Sequence, residues 1–263
     1  MTYELDAATW STPVSPGVRS VELTAEWNTP AGTANGGYLL AILVRAALEE
    51  SDKPDPLSVA VTYLKPTTPG PAVVTVTPVR EGRRVSTFTV VLSQGGTPIT
   101  HGVVSLHDAD LAGAKQHLDE VPPALPAPED GVDPMAGFPP ELVPAVARRY
   151  TTRHATVPGW LAGAPSGDPT AHFWIRPVDG RPVDAFAAGA IVDAYPPVLA
   201  DLGELASSTI QLTVHFWRRF TAEWVQMEVV THRTVDGFHD EDVRLWDPEG
   251  RIVATSRQIA LLA

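Results

Sequence analysis

Asn35-Gly36-Gly37-Tyr38-Leu39-Leu40-Ala41-Ile42-Leu43-Val44-Arg45-Ala46-Ala47-Leu48-Glu49-Glu50 is the stretch on which the fold turns. From Gly36 to Leu48 it holds no Asp or Glu and only one formal charge, Arg45. A helix over Gly36–Glu50 that is apolar on nearly every side must be enclosed by other structure. The next 60 or so residues can supply that enclosure. Four strand-like runs, Leu57–Leu64, Ala72–Val79, Val85–Leu92 and Thr97–Leu106, are separated by Pro69-Gly70-Pro71, Glu81-Gly82 and Gly95-Gly96. These turn residues stand where antiparallel hairpins require them. A further strand-like run, Val18–Trp27, precedes the helix.

The plan recurs after about 150 residues. Runs at Ala147–Thr156 and Thr170–Pro177 precede a helical segment, Val183–Tyr195, and strands are expected at Thr209–Phe216, Trp224–Thr231, Asp240–Trp246 and Ile252–Leu262. Alternation is clearest at Ile210, Leu212, Val214 and Phe216, with Thr209, Gln211, Thr213 and His215 on the opposite face. Between the halves, Pro122, Pro123, Pro126, Pro128, Pro134, Pro139, Pro140 and Pro144 exclude long helices and central strands. The expected architecture is α+β, a double hotdog: two helix-wrapped antiparallel sheets, joined edge to edge. Its units are residues 1–107 and 146–263, with a proline-rich connection at 108–145 that carries one short helix at Asp110–Leu118.

Composition narrows the function. The 263 residues include 19 Lys+Arg against 31 Asp+Glu, a net charge of −12, which argues against nucleic acid as a partner. There is no cysteine, so disulfides, zinc–thiolate sites and cysteine nucleophiles are excluded. Met1–Trp10 lacks the pattern of a signal peptide, and the longest apolar run falls far short of the ~20 residues that span a bilayer. A cytoplasmic protein is expected.

In the second helical segment Phe186, Ala190 and Asp193 share one face at i, i+4 and i+7, among small and apolar neighbours. An Asp there either sits buried with partners or points to water at a helix end set by Pro196 and Pro197; the pattern alone leaves both open. Thr209 opens the alternating strand, and Gln258 faces opposite to Ile259 in the last one.

The whole chain, apart from the connection, resembles the thioesterase II family of tandem-hotdog acyl-CoA thioesterases. The resemblance is carried by Asn35-Gly36-Gly37-Tyr38, Val61-Thr62-Tyr63-Leu64-Lys65-Pro66, Arg80-Glu81-Gly82-Arg83, Thr209–Arg218 and Gly250–Gln258. It implies that Asp193, Thr209 and Gln258 activate a water for attack on a thioester carbonyl. The chain departs from some members in having Gln211, rather than an acid, two residues after the threonine, and in ending without a basic residue after the last strand.

The implied activity is hydrolysis of acyl-CoA, in fatty acid metabolism, with no cofactor and no metal. Gly36 and Gly37 are candidates for the oxyanion or substrate, although tight packing explains glycines there equally well. Arg80, Arg83, Arg84, Arg218 and Arg219 are weak candidates for coenzyme A phosphates. A homo-oligomer is compatible with this reading, but both hotdogs already lie in one chain. The alternatives are a non-catalytic acyl-CoA or acyl-chain binding protein and a hotdog hydratase. No His or Asn follows Asp193 through Leu199, which argues against the hydratase. No G-x-S-x-G supports a serine hydrolase.

Overall fold

The computed structural model describes residues 2–262 except Ala112, Ala114, Gln116 and Asp119. After a short helix α1 (Glu4–Ala8) come β1 (Ser11–Ser15) and β2 (Val18–Leu23), then α2 (Gly36–Glu49). The first half closes with β3 (Asp55–Tyr63), β4 (Gly70–Glu81), β5 (Val85–Gln94) and β6 (Thr97–His107). The second runs β7 (Tyr150–His154), β8 (Thr170–Pro177), β9 (Val183–Asp184), α3 (Ala185–Ile191), β10 (Ser207–Phe216), β11 (Thr221–Ala222), β12 (Val225–Val230), β13 (Thr234–Val235), β14 (Phe238–Trp246) and β15 (Ile252–Leu262).

The strands of the two halves join edge to edge, as the sequence suggested, into one continuous antiparallel sheet. Its order is β1-β2-β4-β5-β6-β3-β10-β15-β14-β12-β8-β7, with β13 added beside β14, while β9 and β11 form a separate pair. The seam is β3 against β10, from Gln211 opposite Thr62 to His215 opposite Ser58. Outward from it the order β3, β6, β5, β4, β2, β1 is answered by β10, β15, β14, β12, β8, β7, which is the repeat seen in the sequence. Both helices lie on the same side of this sheet, against each other. From the first half it turns Val59, Val61, Val74, Val76, Phe88, Val90, Leu92, Val104 and Leu106 toward α2, all at most 4% exposed. Burial of that scale, about 1.5–3 kcal/mol for each large apolar side chain, holds the layers together.

Several boundaries differ from the sequence reading. Val18–Trp27 is not one strand: β2 ends at Leu23 and Ala25–Trp27 is a 3-10 turn. α3 is seven residues long instead of spanning Val183–Tyr195. Val183 and Asp184 pair with β11, and the Asp184 carboxylate caps the helix by accepting from Ala187 N at 2.8 Å. At the other end Ala194 N–H reaches back only three residues, to Ile191 O, and Pro196 and Pro197 have no N–H to continue the ladder. Asp193 therefore sits in the turn just past α3.

Among its described residues the connection 108–145 is irregular apart from 3-10 turns and a single bridge of Val132 to His154, and it touches the second half through Trp174 Nε1, which donates to Pro126 O at 2.8 Å. The helix expected at Asp110–Leu118 falls on a stretch in which Ala112, Ala114 and Gln116 lie outside the described residues; Ala109–Leu111 forms a 3-10 turn. Among the described residues no helix is long and apolar enough to cross a membrane.

Candidate active site

The start of α2 and the end of α3 meet at Asp193. Asn35 caps α2, its Oδ1 accepting from Tyr38 N at 3.0 Å, and this frees its Nδ2 to donate to Asp193 O at 2.7 Å and Oδ2 at 2.8 Å. Gly37 N–H donates to the same Oδ2 at 2.9 Å. None of these bonds uses Oδ1. Glycine is required by the closeness of the two helices. A Cβ on Gly37 would lie 2.3 Å from Ala190 O, and one on Gly36 would lie 2.8 Å from Asp193 Oδ2. Burial raises the Asp193 carboxyl to about 6, against the pull of the Gly37, Asn35 and Gly36 donors that favour its charge.

Thr209 and Gln258 stand on adjacent strands. Strict alternation placed Thr209 on the face opposite Leu212, yet the structure puts both on the side toward the helices. The cause is a β-bulge: Leu212 pairs with Gln258 and Thr209 with Ala260, so β10 uses one residue more than β15 over this interval. The extra residue reverses the phase, and Thr209 Oγ1 donates to Gln258 Oε1 at 3.0 Å.

Two further residues belong to the cluster and were missed in the sequence. Asn35 is one; its position immediately before Gly36-Gly37 is a helix-cap signal. Glu241 is the other. It lies opposite Gln258 on β14, 4% exposed, and its Oε1 accepts from Gln258 Nε2 at 2.8 Å. Its Oε2 accepts from Val198 N at 3.2 Å. The signal was an acid in phase with Val243 and Leu245 on the apolar face of its strand. Burial, with the nearby Asp193 and Asp242 charges, raises Glu241 to about 8, against its bonds from Val198 and Gln258. Among the described residues no hydrogen bond joins Asp193 to Thr209 or Gln258; the Asp193 charge acts on this cluster by helping to raise Glu241.

The arginines lie elsewhere. The β4–β5 hairpin with Arg80, Arg83 and Arg84 is at the end of the sheet marked by Asp55, because Val85 pairs with His107 and His107 with Asp55. Arg218 and Arg219 follow β10 at that same end, more than about 23 Å along the strand from Thr209. Arg219 is held by Asp55 at 2.9 and 2.6 Å and by Asp110 at 2.9 Å, and Arg218 Nε donates to Ile252 O at 2.9 Å. A half-open groove of about 900 Å³, lined in part by Gln211, Thr213, His215, Asp242 and Arg257, occupies the other face of β10, β15 and β14.

Comparison with known proteins gives the family of both halves of the chain. Residues 23–107 match the acyl-CoA thioesterase N-terminal domain, and residues 119–262 match the acyl-CoA thioesterase C-terminal domain. An uncharacterized protein of Mycobacterium tuberculosis is 26% identical over 96% of this chain and 94% of its own. A hot dog fold protein of unknown function from Alicyclobacillus acidocaldarius superposes with a TM-score of 0.89 at 21% identity, covering 100% of this chain and 99% of that one. An acyl-CoA thioesterase II from Mycobacterium marinum does so with a TM-score of 0.76 at 19% identity, covering 98% of each.

Proposed function

The chain belongs to the acyl-CoA thioesterase family, and from that premise we propose that it hydrolyses acyl-CoA to a free acid and coenzyme A at Asp193, Thr209 and Gln258. The fold it uses is read as a double hotdog of units 1–107 and 146–263 joined by 108–145, which the mirrored strand order on either side of β3 and β10 supports.

The observation that carries the mechanism is the Asp193 carboxylate, partly buried on the N-terminus of α2 and raised to about 6. At neutral pH it is ionised yet basic enough to take a proton in the transition state. Its unused Oδ1 accepts one proton of a water; Thr209 Oγ1, whose own proton is given to Gln258, accepts the other. With both O–H bonds committed, the water turns a lone pair toward the thioester carbonyl. The new C–O bond forms as Asp193 takes the proton, and the positive end of α2 at Gly36 and Gly37 favours the charge gathering on the carbonyl oxygen. The C–S bond then breaks, and the proton passes from Asp193 to the departing thiolate.

Free-thiol release from a panel of acyl-CoAs tests this directly. Turnover by the parent protein together with its loss in Asp193→Asn supports the reading. Binding of acyl-CoA without thiol release would favour a carrier of the same fold instead.

A further inference from the structure

Glu241 takes no part in the hydrolysis as written, yet it is among the most enclosed charged groups of the chain and touches the site directly. A side-chain amide has two orientations that differ only in which end donates. We propose that Glu241 is a positioning residue that fixes the Gln258 amide with Oε1 toward Thr209 and Nε2 toward β14, and so determines which way the Thr209 hydroxyl points. This rests on the thioesterase reading above.

Once Glu241 is ionised, donors and acceptors alone dictate the orientation. An ionised carboxylate only accepts, so Gln258 must offer it Nε2. Oε1 is then presented to Thr209, whose single proton goes to it. Thr209 is left with lone pairs, and a water beside it can only donate. With the amide turned over, Nε2 would donate to Thr209, the hydroxyl would donate to the water, and the lone pair needed for attack would be occupied. Val198 N–H anchors the far oxygen of Glu241, which keeps Oε1 aimed at β15.

The groups around Glu241 come from every side. Gln258 faces it from β15 and Val198 N–H from the 3-10 turn Val198–Leu202. Asp193 acts on it from the segment after α3, where the charge of Glu241 in turn bears on Tyr195, and Asp242 is its neighbour on β14. His239, two residues back on the same face, is bonded to Ser207 at 2.8 Å. Since burial and the two aspartates hold Glu241 neutral until the pH approaches 8, and the neutral acid tolerates either amide orientation, turnover should gain a second, smaller rise there, above the rise near 6 that belongs to Asp193.

The test is a pH series of kcat and KM from about 5 to 9, spanning both titrations, on an acyl-CoA that the parent hydrolyses, for the parent, Glu241→Gln, Gln258→Ala and the double variant. Glu241→Gln should lower kcat about tenfold at high pH with KM little changed. It should also abolish the rise near 8, keep the one near 6, and add nothing in the Gln258→Ala background. Parent-like kcat with both rises present, or an equal further loss when Gln258 is already absent, would overturn the proposal. If Glu241→Gln does not fold, Glu241→Leu removes both oxygens and enters the same cycle with the same expectations. Indifference of kcat to position 241 beside a dead Asp193→Asn refutes only the role of Glu241. A parent that releases no thiol, or an Asp193→Asn variant at the parent rate, refutes the hydrolytic reading and this inference with it.

Discussion

The helices α2 and α3 meet in two places, and charge is treated in opposite ways at each. At the start of α2, a single carboxylate, Asp193, is met by neutral donors alone and lies well above its ordinary range. At the start of α3, Arg181 binds Asp6 at 2.9 Å and Asp184 at 3.1 Å, while Arg45 from α2 reaches Asp6 at 2.5 Å and lies 4.3 Å over the Phe186 ring. Burial pushes Asp6 upward too, but the two arginines outweigh it and hold it below the carboxylate range. The sheet beneath follows the same division, since the first half lines its inner face with Val, Leu and Phe where the second sets Gln258, Glu241 and His239. Related frameworks thus carry one matched, closed charge network and one unmatched acid. A matched network adds rigidity, whereas an unmatched acid is available for proton transfer.

The largest effect is expected at the unmatched acid. Asp193→Asn keeps the shape and should lower kcat by about 10²- to 10⁴-fold while folding and acyl-CoA binding persist; a folded variant at the parent rate would erase the distinction between the two meeting points. At the matched network, Arg181→Met should cost stability instead, about 2 kcal/mol in denaturant unfolding, because it leaves Asp184 without its partner and Asp6 with Arg45 alone. The turnover of the folded fraction should stay near that of the parent, and a selective loss of kcat there would show that the network takes part in catalysis.

A subtler effect concerns stability against pH. The folded value of Asp193, about 6, is above its ordinary 3.8, so the folded state binds the extra proton between these values. The resulting stabilisation is complete below about pH 4 and is lost as the pH rises through 6. Asp193→Asn should therefore unfold at a higher temperature than the parent at about pH 8 and near the same temperature at about pH 4, measured by thermal melts at both. The smallest effect is expected from Arg83→Ala and Arg84→Ala, which lie a strand length from Thr209. KM for acyl-CoA should change by less than about twofold, since surface arginines without a bound partner contribute little. A rise of about tenfold, equivalent to a strong charge-assisted contact, would bring the nucleotide of coenzyme A to that end of the sheet.

Much of the fold was legible because it depends on signals that survive in isolation. α2 could be read from its unbroken apolar run, and β4, β5 and β6 from alternation bounded by glycine turns. α1 and β1 carry no such period. α1 is held from outside, by Asp179 Oδ2 accepting from Glu4 N at 2.6 Å and by the arginines on Asp6. The extent of α3 was hidden because Val183 and Asp184 pair with β11, a contact with a distant segment. The facing of Thr209 was misread because a bulge leaves no mark in the alternation on either side of it. Asp193 had an equal claim to being a surface cap until its partners, Asn35 and Gly37, were seen more than 150 residues away in sequence. Glu241 was legible in principle, as an acid in an apolar phase.

The bulge between Thr209 and Gln211 also governs which length changes the chain can absorb. Facing on β10 is counted backward from Leu212, which its pairing with Gln258 anchors, so residues gained or lost in the loop between Asp193 and Ser207 leave every inward side chain where it is. Ile210 is the extra residue of the bulge. If the bulge were flattened with every residue kept, Ile210 would take the place opposite Ala260 and the Thr209 hydroxyl would turn to the other face of the sheet, while the pairs from Leu212 to Phe216 stayed in place. The site thus tolerates drift in the long loop before the strand and depends on the bulge absorbing one residue within it.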